Sequence, residues 1–177
     1  EIIKHGLIKD ENYYLWIINN IEGIKSRDLN VLKDMILRSC QIKKDIVEED
    51  PKEKGVRALL NFGHTLGHAI EKLMNFSLLH GECVGIGCIL ASYISYNRAY
   101  LTKKELDSIL LLFEKFSLSD TIINLSPEEI IKASKHDKKM ENGIIKFILL
   151  KSIGNAYIEN TVSDTEMYDA ILMYLNK

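Results

Sequence analysis

Residues Arg57 to His80 read RALLNFGHTLGHAIEKLMNFSLLH, and this stretch decides how the rest of the chain is read. Leu59, Leu60, Leu66, Ile70 and Leu73 recur at helical intervals. Arg57, Asn61, His64 and His68 interrupt them at offsets of four, seven and eleven. At about 100° per residue those offsets fall within a narrow arc, so the pattern predicts one amphipathic helix with four polar side chains stacked along a face. A cation, an amide and two imidazoles in one row have the makeup of a site. Gly63 and Gly67 stand before the two histidines. Glycine inside a helix costs about 1 kcal/mol relative to alanine, so two of them imply close approach of another backbone or a ligand.

The pattern breaks at Asn75–Ser77 and restarts as HGECVGIGCILASYIS from His80. A histidine that opens a helix can point back at the preceding one. His64 and His80 would then supply two imidazoles from two elements, which suits a divalent metal completed by a carboxylate and an open position. The pair His64/His68 is not HExxH, because Thr65 occupies the glutamate position; a zincin protease is excluded on that ground.

Outward from this centre, the composition is that of an ordinary globular domain: 177 residues, 46% hydrophobic, 27% charged, net charge −2. That charge balance leaves no footprint for nucleic acid. No apolar run reaches membrane-spanning length and no secretory pattern is present. Cys40, Cys83 and Cys88 are an odd set without CxxC, read as reduced and mostly buried thiols of a cytoplasmic protein. EIIKHGLI opens in mid-pattern, without a cap, as expected of a chain whose upstream part lies outside it.

Glu1 and Lys4 share a face of that first helix, and their spacing alone reads as a surface ion pair. DENYYLWIINNI continues as a helix that Gly23 ends. Ser26 or Asp28 can cap the next, which runs to about Glu49 with Leu29, Leu32, Met35, Ile36, Cys40 and Ile46 as its stripe. Lys43 and Lys44 lie late in it. Residues 83–100 are nearly all apolar or small, the signature of a buried helix. Capping boxes at Thr102–Glu105, Ser126–Glu129 and Ser163–Glu166 announce helices near 103–116, 127–135 and 164–175. Between the last two, IIKFILL, a turn at residues 152–155 and AYI read as a hairpin. The basic segment KHDKK, at Lys135 to Lys139, precedes it and reads as an exposed loop. The expected fold is mainly α: one domain, residues 1–177, of six or seven helices with one small β-hairpin.

RALLNFGHTLGHAIE followed by LLHGECVGIG resembles the signature of 3-dehydroquinate synthase. KKDIVEEDPKEKGVR, EIIKHGLI and HDKKMENGIIKFILLKSIG are similar to further segments of that family, so the resemblance runs almost end to end. It corresponds to the family's C-terminal helical domain, without the N-terminal NAD-binding domain. By resemblance, Glu1, His64 and His80 match the metal ligands, for Zn2+ or another divalent ion such as Co2+. Lys4, Lys43, Arg57, Asn61, His68 and one of Lys138 and Lys139 match residues that hold substrate, with Lys4, Arg57 and His68 nearest the chemistry. Leu66 and Cys83 stand where many members have Phe and Ala.

The resemblance further implies conversion of 3-deoxy-arabino-heptulosonate 7-phosphate to 3-dehydroquinate and phosphate in the shikimate pathway. NAD, held mainly by the N-terminal domain, oxidises a ring hydroxyl and is regenerated later in the cycle. It also implies a homodimer in the full-length protein. Two alternatives stay open at this point: another sugar-phosphate cyclase or metal-dependent polyol dehydrogenase of the same fold, and a non-catalytic helical module that binds a partner.

Overall fold

The computed structural model describes residues 1–118, 125–136 and 145–176, with His136 described by its backbone alone. Among the described residues there are nine α-helices, one 3-10 helix and one antiparallel hairpin, more helices than the six or seven expected. In order they are α1 (Ile2–Lys9), α2 (Glu11–Asn19), α3 (Ile21–Lys25), α4 (Leu29–Glu49), the 3-10 helix Val56–Asn61, α5 (His64–Leu73), α6 (His80–Asn97), α7 (Lys103–Lys115), α8 (Pro127–His136), β1 (Phe147–Ser152), β2 (Asn155–Glu159) and α9 (Asp164–Leu175).

Helix α6 is the axis. Its residues from Cys83 to Ser95 are all buried, as the absence of a polar face predicts. Helices α5, α7 and α9 and strand β1 pack around it. Its two buried serines are satisfied from within: Ser92 and Ser95 donate to the carbonyls of Cys88 and Ala91, one turn back. Ser95 Oγ also accepts from the Leu150 N–H at 3.0 Å, which pins β1 to the helix. The two strands pair from Phe147↔Glu159 to Leu150↔Ala156, with an irregularity before Ser152↔Asn155. Phe147 to Leu150 are all buried, because α6 and the 3-10 helix both pack on β1.

The predicted continuous helix from Arg57 does not form. The backbone leaves the 3-10 helix at Phe62 and turns through Gly63 at φ +80°, and α5 starts afresh at His64. A β-carbon on Gly63 would lie 2.5 Å from Cys88 Sγ, and one on Gly87 would lie 1.9 Å from the Gly63 carbonyl oxygen. The turn thus sits backbone against backbone on α6, which the two helices could not do with larger residues. Arg57 and Asn61 therefore belong to one element, and His64 and His68 to another.

Other boundaries also moved. Gly23 lies inside α3; α2 ends earlier, at Asn19. A β-carbon on Gly23 would meet Val31 Cγ2 at 2.9 Å, so its smallness serves the packing of α3 on α4. Asp28 caps α4 by accepting from the N–H groups of Asn30 and Val31. Of the stripe assigned to α4 only Ile46 is buried; the other buried residues of the helix, Ser39 and Ile42, were not part of it, and Leu29 is 82% and Ile36 52% exposed. The three capping boxes form as predicted. All three cysteines are free thiols, but Cys40 is exposed, in contrast to the expected burial. No helix among the described residues is long and apolar enough to cross a membrane.

Candidate metal and substrate site

Helix α1 carries the first part of the site. Residues Ile3 to Ile8 are all buried, because α2, α4, β2 and the 3-10 helix pack around them. Lys4 goes in with its neighbours. It is 3% exposed, and its Nζ lies 2.6 Å from Glu1 Oε2. The pair that spacing alone placed on the surface is a half-buried anchor. His5 follows it inward and shares a 2.7 Å hydrogen bond between its Nδ1 and Ser39 Oγ on α4. Burial, then the Lys4 charge, lowers His5 to a pKa of about 4, so this imidazole is neutral at neutral pH.

The other carboxylate oxygen of Glu1 faces the histidines. Glu1 Oε1 is 3.5 Å from His64 Nε2 and 4.0 Å from His80 Nε2. The hydrogen bond from His64, opposed by burial and helped by Lys4, holds the Glu1 carboxyl well below the usual carboxylate range. His68 completes a triangle of rings with centroids 5.1 Å from His64 and 5.7 Å from His80, the remaining side being 5.6 Å. One ligand atom from each of the three histidines lies within 4.8 Å of the others.

These donors fit a divalent ion. Metal bonds of 2.0–2.2 Å at tetrahedral angles put neighbouring ligand atoms about 3.4 Å apart. The Glu1–His64 separation of 3.5 Å is already at that spacing, and the Glu1–His80 separation of 4.0 Å is a small movement from it. Both outer nitrogens are occupied: His64 Nδ1 lies 3.1 Å from the Phe62 carbonyl oxygen and His80 Nδ1 3.2 Å from Glu71 Oε1. That leaves both Nε2 atoms aimed at Glu1.

Arg57 and Asn61 are brought together on a different partner. Arg57 Nε lies 3.7 Å from Glu53 Oε2 and its Nη1 donates to the Pro51 carbonyl at 3.0 Å. Asn61 Nδ2 donates to Glu53 Oε1 at 3.4 Å. Asp50 organises this loop, accepting from the N–H groups of Lys54, Gly55 and Arg57. Lys43 is exposed on α4, near enough for its charge to bear on His5. Lys138 and Lys139 lie outside the described residues. A cavity of about 420 Å³ opens on Glu1 and Lys4, with Ile17, Met35, Val84 and Phe116 among its apolar walls; the histidines are not part of its lining.

Sequence reasoning missed Glu71, Glu53, Asp50 and His5. Glu71 had a signal: it follows His64 by seven and His68 by three, so it shares their helix face. Glu53 and Asp50 had none, since a charged loop with a proline reads as solvated.

Comparison with known proteins shows the family and the fold. Residues 1–140 match the family model described as 3-dehydroquinate synthase C-terminal. The chain is 43% identical over 163 residues to the 3-dehydroquinate synthase of Nitrosospira multiformis, covering 92% of this chain and 44% of that protein. It is 39% identical over 176 residues to the 3-dehydroquinate synthase of Ruminiclostridium cellulolyticum, covering 99% and 49% respectively. The chain thus spans about half the length of these relatives. Among solved structures it resembles a 2-epi-5-epi-valiolone synthase from Streptomyces hygroscopicus with NAD+ and Zn2+ bound, at TM-score 0.88 and 24% identity over 99% of this chain and 49% of that one. It also resembles a 2-deoxy-scyllo-inosose synthase complexed with carbaglucose-6-phosphate, NAD+ and Co2+, at TM-score 0.77 and 22% identity over 96% and 48%. At these identities the two structures speak for the fold.

Proposed function

The chain belongs to the 3-dehydroquinate synthase C-terminal family, and from that premise we propose that it is the metal- and substrate-binding domain of an enzyme converting 3-deoxy-D-arabino-heptulosonate 7-phosphate to 3-dehydroquinate and phosphate. In this reading it works with an NAD-binding domain, as part of a homodimer, in the shikimate pathway. The observation that carries the proposal is the convergence of Glu1, His64 and His80, a carboxylate and two imidazoles, on one point from three different segments.

Glu1, His64 and His80 would hold Zn2+ or Co2+. When bound, such an ion supplies Lewis acidity toward substrate hydroxyls. The chain's own residues do the rest. Lys4 neutralises the second Glu1 oxygen, so the carboxylate stays ionised and oriented. Arg57 offers a planar fork for the substrate carboxylate, with Lys43 as a second cation. Asn61, His68 and one of Lys138 and Lys139 would hold the phosphate. That phosphate can take the proton in its own elimination, so the side chains chiefly fix geometry. His68 stands beside both ligand histidines, which supports its place near the reacting part of the substrate.

Two measurements test this. Isothermal titration with Zn2+ is expected to show one site per chain that His64→Ala abolishes; no binding favours the non-catalytic module. Phosphate release by the enzyme containing this domain is expected from the heptulosonate phosphate and not from a neutral sugar phosphate. The reverse preference favours a sister cyclase acting on neutral sugars.

A further inference from the structure

The Glu71 side chain is 17% exposed and stands at the opposite end of the His80 ring from Glu1. His80 opens α6 directly after a connection in which Asn75 and Phe76 adopt positive φ. Its side chain is 48% exposed, so packing alone does not fix the ring. A neutral imidazole has two tautomers, and only the one with its proton on Nδ1 presents a lone pair at Nε2. An ionised carboxylate can only accept a hydrogen bond. Glu71 Oε1, 3.2 Å from His80 Nδ1, therefore selects the Nδ1–H form and turns the Nε2 lone pair toward Glu1. The Phe62 carbonyl oxygen is the corresponding neighbour of Nδ1 on His64, at 3.1 Å.

We propose that Glu71 is a positioning residue for the metal site: it holds His80 in the tautomer and orientation that bind a divalent cation, without ligating the cation itself. The proposal rests on the metal reading above. Partners of this kind behind a ligand histidine are worth about 10–100-fold in metal affinity.

The test uses the full 177-residue chain with Co2+ as probe and Zn2+ in competition, comparing Glu71→Leu, Glu71→Gln, His80→Ala and His64→Ala. Glu71→Leu is expected to weaken Co2+ binding about 10–100-fold. Glu71→Gln, which keeps a carbonyl oxygen for Nδ1–H, is expected to lose less. At saturation both should give the wild-type ligand-field spectrum. In the metal-free chain, the ring 15N shifts of His80 are expected to move from the Nδ1–H pattern toward a mixture in Glu71→Leu, a change that mere loosening of the fold would not produce. If Glu71→Leu does not fold by circular dichroism, the near-isosteric Glu71→Gln decides alone. Unchanged affinity and unchanged His80 shifts overturn the proposal, and so does an altered spectrum at saturation, which would mark Glu71 as a ligand. If His64→Ala and His80→Ala also leave affinity untouched, the metal reading itself has failed.

Discussion

At the scale of single residues, the Glu1–Lys4 pair shows why spacing is a weak guide to role. The same i, i+3 pattern on an exposed helix contributes a few tenths of a kcal/mol. Here the Lys4 ammonium is 3% exposed while Glu1 is 47% exposed, so the two partners are not equivalent. Removing Glu1 strands a buried charge. Removing Lys4 leaves a carboxylate that water can reach. In the presence of a chelator, Glu1→Ala is therefore expected to cost about 2–3 kcal/mol, and Lys4→Met about 1 kcal/mol or less. Urea unfolding midpoints check this; equal losses would mean that Lys4 finds other partners once Glu1 is gone. Glu1 was singled out by the family resemblance and not by its spacing, and no local pattern marked Lys4's burial, which comes from four elements closing over α1.

Elements meet most tightly where α5 begins against α6. The Gly87 position leaves no room for a β-carbon, which would stand 1.9 Å from the Gly63 carbonyl oxygen. Backbone cannot yield as a flexible side chain does. Gly87→Ala is therefore expected to destabilise by about 3 kcal/mol or to prevent folding, and to weaken Co2+ binding in any folded fraction because His64 follows Gly63 directly. Unfolding midpoints and Co2+ titration of that variant provide the check. At the other end of α6, Arg98 ties three elements together. Its Nη1 lies 2.6 Å from Glu159 Oε2 on β2, and its Nε lies 2.6 Å from Glu166 Oε1 on α9. The Arg98 hydrogen bond, then those of Ser163, lower Glu166 to a pKa of about 2 against burial. A depressed carboxylate contributes its full stability above its ordinary pKa of 4.5 and loses it as pH falls toward about 2. Arg98→Met is expected to cost about 1 kcal/mol at pH 7, solvent screening keeping the effect small, and the difference from wild type should shrink as pH falls below 4.5 and disappear only as it passes below about 2. Melting curves across that range measure it; a gap that stays constant with pH would assign the loss to packing.

For the molecule as a whole, how legible a feature was depended on whether its cause is local. The capping boxes at Thr102, Ser126 and Ser163 are closed within four residues, and each started its helix where expected. The all-apolar run of α6 announced a buried axis, and the β-rich run around Phe147, with the turn after it, a hairpin. The break at Phe62–Gly63 was illegible, because its reason is the backbone of Cys88 and Gly87, more than twenty residues away in sequence. The burial of α4 was illegible for the same reason: which of its residues are covered is decided by α1, α3 and the 3-10 helix packing on it, and these leave Leu29, Ile36 and Cys40 of the expected stripe exposed. The chain's span of about half its relatives leads to a last prediction. The candidate donors Glu1, His64 and His80 come together within this chain, whereas no turn among the described residues combines a strand, a glycine-rich loop and a helix as dinucleotide binding requires. The purified chain is therefore expected to take up one Zn2+ or Co2+ yet release no phosphate from the heptulosonate phosphate, with or without added NAD. Supplying the N-terminal half of a relative as a separate polypeptide should restore release in proportion to complex formed, as tethering effects on reacting geometry require. Turnover by the chain alone would mean that hydride transfer is not needed for phosphate loss, and would undo the division of labour proposed for the two halves.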